Sequence, residues 1–153
     1  MMNEKTDYLR DLPIIRLLKP DDLKKLEDKF HIESVAKNKY VFEEGNSCVW
    51  VYFVCSGRVK LLAHSSAGKD FILRIVSAND LISDNNLMFR RDPECDYSAK
   101  ALESSVVAKI STNDFMSLMD KKPELFKSYA EIIDSHLLEA YHSLKDMAFE
   151  KVE

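Results

Sequence analysis

Only three glycines occur in 153 residues, and all of them, Gly45, Gly57 and Gly68, fall inside the run EEGNSCVWVYFVCSGRVKLLAHSSAGKDFILRIV from Glu43 to Val76. Glycine ordinarily makes up about 7% of a sequence. A chain that uses so few, and sets them between short apolar runs, is using them for backbone geometry. Gly57 separates two such runs and Gly68 closes a Ser-Ser-Ala-Gly tip. At both positions a positive φ is cheap for glycine and costly for other residues. The expectation is a set of β-hairpins folding into a small antiparallel roll.

The flanking patterns fit that core. From His31 to Ile110 short β-branched and aromatic runs recur at Tyr40–Phe42, Val49–Cys55, Val59–Ala63, Phe71–Val76 and Val106–Ile110, separated by polar clusters; this spacing is that of an antiparallel barrel or sandwich. Ahead of them Leu9, Leu12, Ile15 and Leu18 recur at spacings of three, and Leu23, Leu26 and Phe30 repeat the stripe after Pro20. Two short helices with a break near Lys19 follow, the second opened by proline and by Asp21 and Asp22, which complement the helix dipole. Downstream, Ser111-Thr112-Asn113-Asp114 reads as a cap in front of Phe115, Leu118 and Met119, and Pro123 opens a longer helix reaching the last residue. The fold class is therefore α+β: an antiparallel β-roll of the jelly-roll or double-stranded β-helix kind, with short N-terminal helices and a long C-terminal helix.

That last helix carries its own pattern. Phe126, Ala130, Ile133, Leu137, Ala140, Leu144 and Met147 follow alternating steps of four and three, a heptad seam. Tyr129, Ile132, Leu138, Tyr141 and Phe149 add apolar surface outside the seam, which predicts packing both on the barrel and on a second copy of the chain. The expected division is residues 1–121, the roll with its N-terminal helices, and residues 122–153, a dimerisation helix. The chain ends at Lys151-Val152-Glu153, still helical in character, which suggests a piece of something longer.

Composition narrows the function classes. A hydrophobic content of 46% over one domain's length supports a real core. The net charge of −4, with basic residues scattered among acids, argues against phosphate-backbone binding by this chain itself. No apolar run approaches the roughly 20 residues of a membrane span, and MMNEKTDYLRD lacks a signal-peptide core; the expected place is the cytoplasm, with no membrane partner. Cys48, Cys55 and Cys95 form no Cys-x-x-Cys pair, which predicts reduced thiols rather than a disulfide scaffold or zinc site. Gly-x-Ser-x-Gly, P-loop and His-Glu-x-x-His motifs are all absent, so an enzyme is not expected.

Two short helices, the roll containing EEG…VYFVCSGRVKLLA…GKDFILRIV…NDLISD, the segment ALESSVVAKISTNDFMSLMDKKPEL and the long heptad helix together resemble the sensor half of a Crp/Fnr-family bacterial transcription regulator, over about Leu12 to Val152. The resemblance implies a cyclic-nucleotide-binding-like roll and a homodimer formed through the long helix. It also implies DNA contact only through a helix-turn-helix domain missing from this sequence, and contact with RNA polymerase. The implied effector pocket comprises Leu73, Arg74, Leu81, Ile82, Ser83, Asp84, Cys95, Asp96, Ala140 and Tyr141, and the implied dimer interface is the heptad seam.

Against the family's cyclic AMP pattern, this pocket departs at each contact. A buried cyclic phosphate needs helix-start N–H donors, an arginine and a ribose-binding carboxylate. Here Asn79-Asp80-Leu81-Ile82-Ser83-Asp84 stands for the family's Gly-Asp-x-x-Gly-Glu, so Ser83 replaces the phosphate-facing glycine and Asp84 the glutamate. Cys95 and Asp96 fall where the arginine and the following serine belong, and Ala140 and Tyr141 where adenine-touching hydroxyls belong. Cyclic AMP is not the expected effector. Arg74, with Arg90 and Arg91 nearby in sequence, leaves a relocated site for another organic anion as an alternative, and a dimerising scaffold with an empty pocket as a second.

Haem-mediated sensing of nitric oxide or another gas or redox signal is the leading effector class, because regulators of this resemblance include gas sensors lacking the cyclic-nucleotide arginine. Axial-ligand candidates are His64, Met88, Cys95, His136, Tyr141, His142 and Met147; no metal ligand is singled out. An iron–sulfur cluster is disfavoured, since no cysteine precedes Cys48. Glu94 and Asp96 predict a raised pKa and a blunted thiol at Cys95.

Overall fold

The computed structural model describes residues 4–82 and 94–152, and the chain divides into two compact units, Met1–Ser117 and Leu118–Glu153. In the first unit, α1 (Glu4–Leu9) leads through a 3-10 turn (Ile15–Leu17) to α2 (Pro20–Leu26) and a second 3-10 turn (Glu27–Lys29). The break near Lys19 is where expected: Lys19 is extended and Pro20 occupies the first helical turn. The first helix is shorter than its leucine spacing predicts. Pro13 has no N–H to continue it, and Ile14 adopts a left-handed φ of 72°, so Ile15 and Leu18 belong to a separate turn.

The roll consists of β1 (His31–Val35), β2 (Tyr40–Phe42), β3 (Trp50–Ser56), β4 (Arg58–His64), β5 (Asp70–Ser77), β6 (Asp80–Ile82), β7 (Ser98–Ala101) and β8 (Ser105–Ser111). Among the described residues these form two four-stranded antiparallel sheets, ordered β1-β8-β3-β6 and β2-β7-β4-β5. All five expected strands are present, and β1, β6 and β7 are additional.

The glycines resolve differently from one another. Gly68 closes a true hairpin between β4 and β5, its N–H donating to Ser65 O at 3.0 Å while Ser65 N–H donates to Lys69 O at 2.8 Å. Gly57 does not. The strands it joins, β3 and β4, lie in different sheets, so the hairpin expectation gives way to a corner at which the chain changes sheet. With φ +85° there, an added Cβ would stand 2.2 Å from Ser105 Oγ and 2.8 Å from Ser104 O; only glycine lets the corner close on β8.

Both faces of β3 are buried. Tyr52 and Val54 point between the sheets into a core with Phe42, Val59, Leu61, Val76, Ala99 and Val107. Phe53 points the other way, its ring meeting Phe30 at 5.9 Å and Phe115 at 6.3 Å between centroids. That second layer holds the N-terminal turns and the start of α3 (Thr112–Lys121) on the outer face of the first sheet. Ser111 caps α3, its hydroxyl oxygen accepting the Asp114 N–H at 3.1 Å, as the Ser-Thr-Asn-Asp run predicts.

In the second unit α4 runs from Pro123 to Val152, 30 residues. Leu118, Met119, Leu125 and Tyr129 are buried. Of the heptad seam, Phe126, Ala130, Ile133, Leu137, Ala140, Leu144 and Met147 are all exposed, Leu144 by 60%. Among the described residues no helix is long and apolar enough to cross a membrane.

Candidate effector site

Two of the elements that carry the expected pocket meet where β5 passes to β6. These strands belong to different sheets, and the turn between them is set by Asn79, with φ 67° and an N–H that donates to Val54 O at 2.8 Å. Arg74 shares the inward face of β5 with Val76, since it stands opposite the buried Leu61 in the register. Asp80 stands opposite Val54 and points inward too. The two side chains form a half-buried ion pair across the turn, Arg74 Nη2 with Asp80 Oδ2. Asp80 Oδ1 also accepts the Leu81 N–H at 2.8 Å. The positive charge that made Arg74 a candidate anion site is therefore held by a carboxylate six residues on.

The other pocket candidates separate. Ile82 enters the inter-sheet core, whereas Leu81, opposite Phe53, lies on the reverse face of β6 under the outer layer. Leu73 is the bulged residue of β5 and is 45% exposed. Cys95 is buried in the same core as Ile82, its N–H donating to Asn46 O at 2.8 Å and its carbonyl accepting from Gly45 N at 2.9 Å, while Asp96 is exposed. Ser83, Asp84, Met88, Arg90 and Arg91 lie outside the described residues. Ala140 and Tyr141 are exposed positions of α4, in the second unit.

A polar cluster missed by the sequence reading lies at the other end of β5. His64 Nε2 is 3.0 Å from Ser98 Oγ, and Ser98 Oγ also accepts the Glu44 N–H at 2.8 Å. With Asp70 on its other ring nitrogen, His64 completes a Ser-His-Asp array. The order of groups is that of a nucleophilic triad, but Ser98 is 1% exposed and its oxygen is already an acceptor; the array ties three segments together rather than presenting a nucleophile. Nothing in the local sequence marks it, because His64 and Ser98 are brought together only by the β4–β7 pairing.

Titration follows burial. The Tyr52 hydroxyl is pushed far up by desolvation, with the charge of Glu33 adding to it, so it stays a neutral donor beside the stacked Phe42 ring, 5.2 Å away. Burial pushes the Cys55 thiol up to about 11, which makes it unreactive at neutral pH. No cluster of three or more metal-ligating side chains occurs among the described residues.

The sequence profile of the cyclic nucleotide-binding domain matches residues 32–122, most of the roll and all of α3. The chain belongs to that family, in the form carried by Crp/Fnr-type regulators. Among curated proteins it is similar to the anaerobic regulatory protein of Bacillus subtilis (strain 168), 27% identical over 131 residues, covering 86% of this chain and 55% of that one. Among solved structures it resembles the catabolite activator protein of Thermus thermophilus, with TM-score 0.70 and 23% identity over 90% of this chain and 64% of that one. It likewise resembles the sensor domain of the transcriptional regulator DNR from Pseudomonas aeruginosa, with TM-score 0.73 and 20% identity over 90% and 91% of the two chains. The domain thus spans just over half the length of its Bacillus relative. These relatives are regulators, in keeping with the non-enzyme reading.

Proposed function

We propose that this domain is the effector-sensing and dimerising part of a Crp/Fnr-type transcription regulator, and that its effector is not cyclic AMP. The observation that carries this reading is the Arg74–Asp80 pair. A cyclic phosphate taken out of water requires an uncommitted cation and aligned donors. The arginine at a pocket position is committed to Asp80, and the positions expected to supply the family's arginine and serine hold Cys95 and Asp96.

Dimerisation is assigned to α4. A monomer gains nothing by exposing Ile133, Leu137, Leu144 and Met147 at heptad spacing on one helix, whereas a second copy would bury them as a seam. We place the division of labour at residues 1–121 for sensing and 122–153 for pairing. DNA contact belongs to a helix-turn-helix domain of the whole regulator, since a net charge of −4 gives this chain no large positive field of its own; RNA polymerase is a further partner of the whole regulator.

A haem-borne gas or redox signal is the effector class to test first. The roll's described ligand candidates do not fit haem: both ring nitrogens of His64 are hydrogen-bonded, and Cys95 is enclosed in the core. Of the other candidates, Met88 lies outside the described residues, and His136, Tyr141, His142 and Met147 are on α4, the last three exposed. A ligand at 100 times its Kd stabilises a fold by about 2.7 kcal/mol, so a melting curve with ~1 mM cyclic AMP detects any Kd below ~10 μM. The expected result is no shift, and a rise of several degrees would overturn the reading. An absorbance spectrum after haemin addition, with and without nitric oxide, decides the haem branch; a missing Soret band leaves an organic-anion effector or an effector-free dimeriser.

A further inference from the structure

The N-terminal turns enclose a cleft of about 620 Å³ with no residue of the roll in its lining. Its floor is apolar, made by the buried Ile15 and Leu23 and the half-buried Leu18. Its rim carries three cations from three successive segments: Arg10 just after α1, Arg16 in the 3-10 turn and Lys24 on α2. The single carboxylate of the lining, Glu27, already accepts a hydrogen bond from Thr6 Oγ1. Arg10 is shared with Asp7 at 3.3 Å in a solvent-exposed contact, whereas Arg16 and Lys24 make no ion pair among the described residues. The left-handed Ile14 opens the 3-10 turn that brings Ile15 and Arg16 to the same cleft.

We propose that this cleft is a second binding site, for a small amphipathic organic anion. The volume falls within the range of small-molecule sites, which pair an apolar lining with a few convergent polar groups. Each half of the lining selects one half of the ligand. A guanidinium fork and an ammonium at the rim match a carboxylate, sulfonate or phosphate monoester, and the Ile15–Leu18–Leu23 floor takes a short alkyl or aryl body out of water. A hydrated inorganic anion would leave the floor wet, and an uncharged lipid would leave two unpaired cations at the rim. The site is independent of the effector pocket and of the identity of that effector.

Octanoate is the probe, with acetate and 1-octanol as controls that lack the body and the charge. Titration of the chain followed by methyl NMR is expected to show saturable one-to-one binding of octanoate with shifts at Leu18 and Leu23, and much weaker binding of either control at equal concentration. Removing an exposed cation weakens an ionic contact by about three- to fivefold, so Arg16→Gln with Lys24→Gln is expected to raise the octanoate Kd by about tenfold. Both side chains are exposed, and an unchanged circular dichroism spectrum verifies that the variant is folded. Equal binding of octanol and octanoate, an unaltered Kd in the double variant, or shifts confined to the roll would each overturn the proposal.

Discussion

His64 Nδ1 lies 2.6 Å from Asp70 Oδ1, a contact between the terminal register pair of the β4–β5 hairpin. It fixes the imidazole so that Nε2 reaches Ser98, and through Ser98 the Glu44 backbone, joining the hairpin, β7 and the loop after β2. In the neutral ring, Nδ1–H donates to Asp70 and Nε2 accepts the Ser98 hydroxyl proton. Ser98→Ala strips an acceptor from one N–H and a donor from a ring nitrogen at a nearly inaccessible point. The expected cost is about 1–3 kcal/mol, read as a lower urea midpoint, with faster hydrogen exchange at the Glu44 amide. Asp70→Asn, at an exposed carboxylate, is expected to cost under about 1 kcal/mol. If the Ser98 variant matches the parent in both readouts, the array contributes nothing to the fold.

Gly57 and Gly68 are expected to differ sharply on substitution. Gly68→Ala meets open space, and pays only for its φ of +79°, about 1–2 kcal/mol. Gly57→Ala adds to the same penalty a collision with Ser105 and Ser104, for roughly 2–4 kcal/mol in total. Denaturant midpoints of the two variants measure the difference; equal losses would mean that the corner yields freely.

The contrast between these glycines shows how far the sequence is legible. Positive φ follows from glycine itself and from local apolar runs, so all three glycines were readable as turns. Partnership is not local: Trp50–Ser56 and Arg58–His64 are neighbours in sequence but lie in different sheets. β7 and β1 escape a pattern reading for different reasons. Ser-Ala-Lys-Ala in β7 has no β-branched residue and is held extended by β2 and β4 on either side, with Ala99 and Ala101 fully buried. β1 mixes His31, Glu33 and Ser34 into its run because much of it remains partly exposed. In the site, Arg74 was readable as a charge, but its neutralisation by Asp80 depends on a sheet-switching turn, and the inward or outward choice between Ile82 and Leu81 depends on register with β3.

Leu137→Glu tests the α4 seam. In a paired helix it sets two carboxylates together in a desolvated interface, a change worth several kcal/mol, and the dimer is expected to weaken by at least ~100-fold. Leu138→Glu, one residue off the seam and also exposed, is expected to leave association largely intact. Sedimentation equilibrium at micromolar concentration distinguishes them, and a Leu137 variant that still sediments as a dimer would place the interface elsewhere.

Cys55 makes stability depend on alkaline pH. Burial raises its thiol from 9.0 to about 11, with a backbone hydrogen bond involving Ala108 acting the other way. The unfolded chain ionises near the lower value while the folded chain keeps its proton, so above pH 9 the unfolded state binds fewer protons and stability falls as pH rises. The contribution is whole below pH 9 and is lost as pH climbs through 11. Because the thiol retains some solvent access, its size is of order 1 kcal/mol. Denaturant midpoints at pH 8 and pH 10.5 are expected to diverge less in Cys55→Ala than in the parent, and the Cys55 thiol is expected to react slowly with iodoacetamide at pH 8. Identical pH dependence in the two proteins would show that the thiol is not the group responsible.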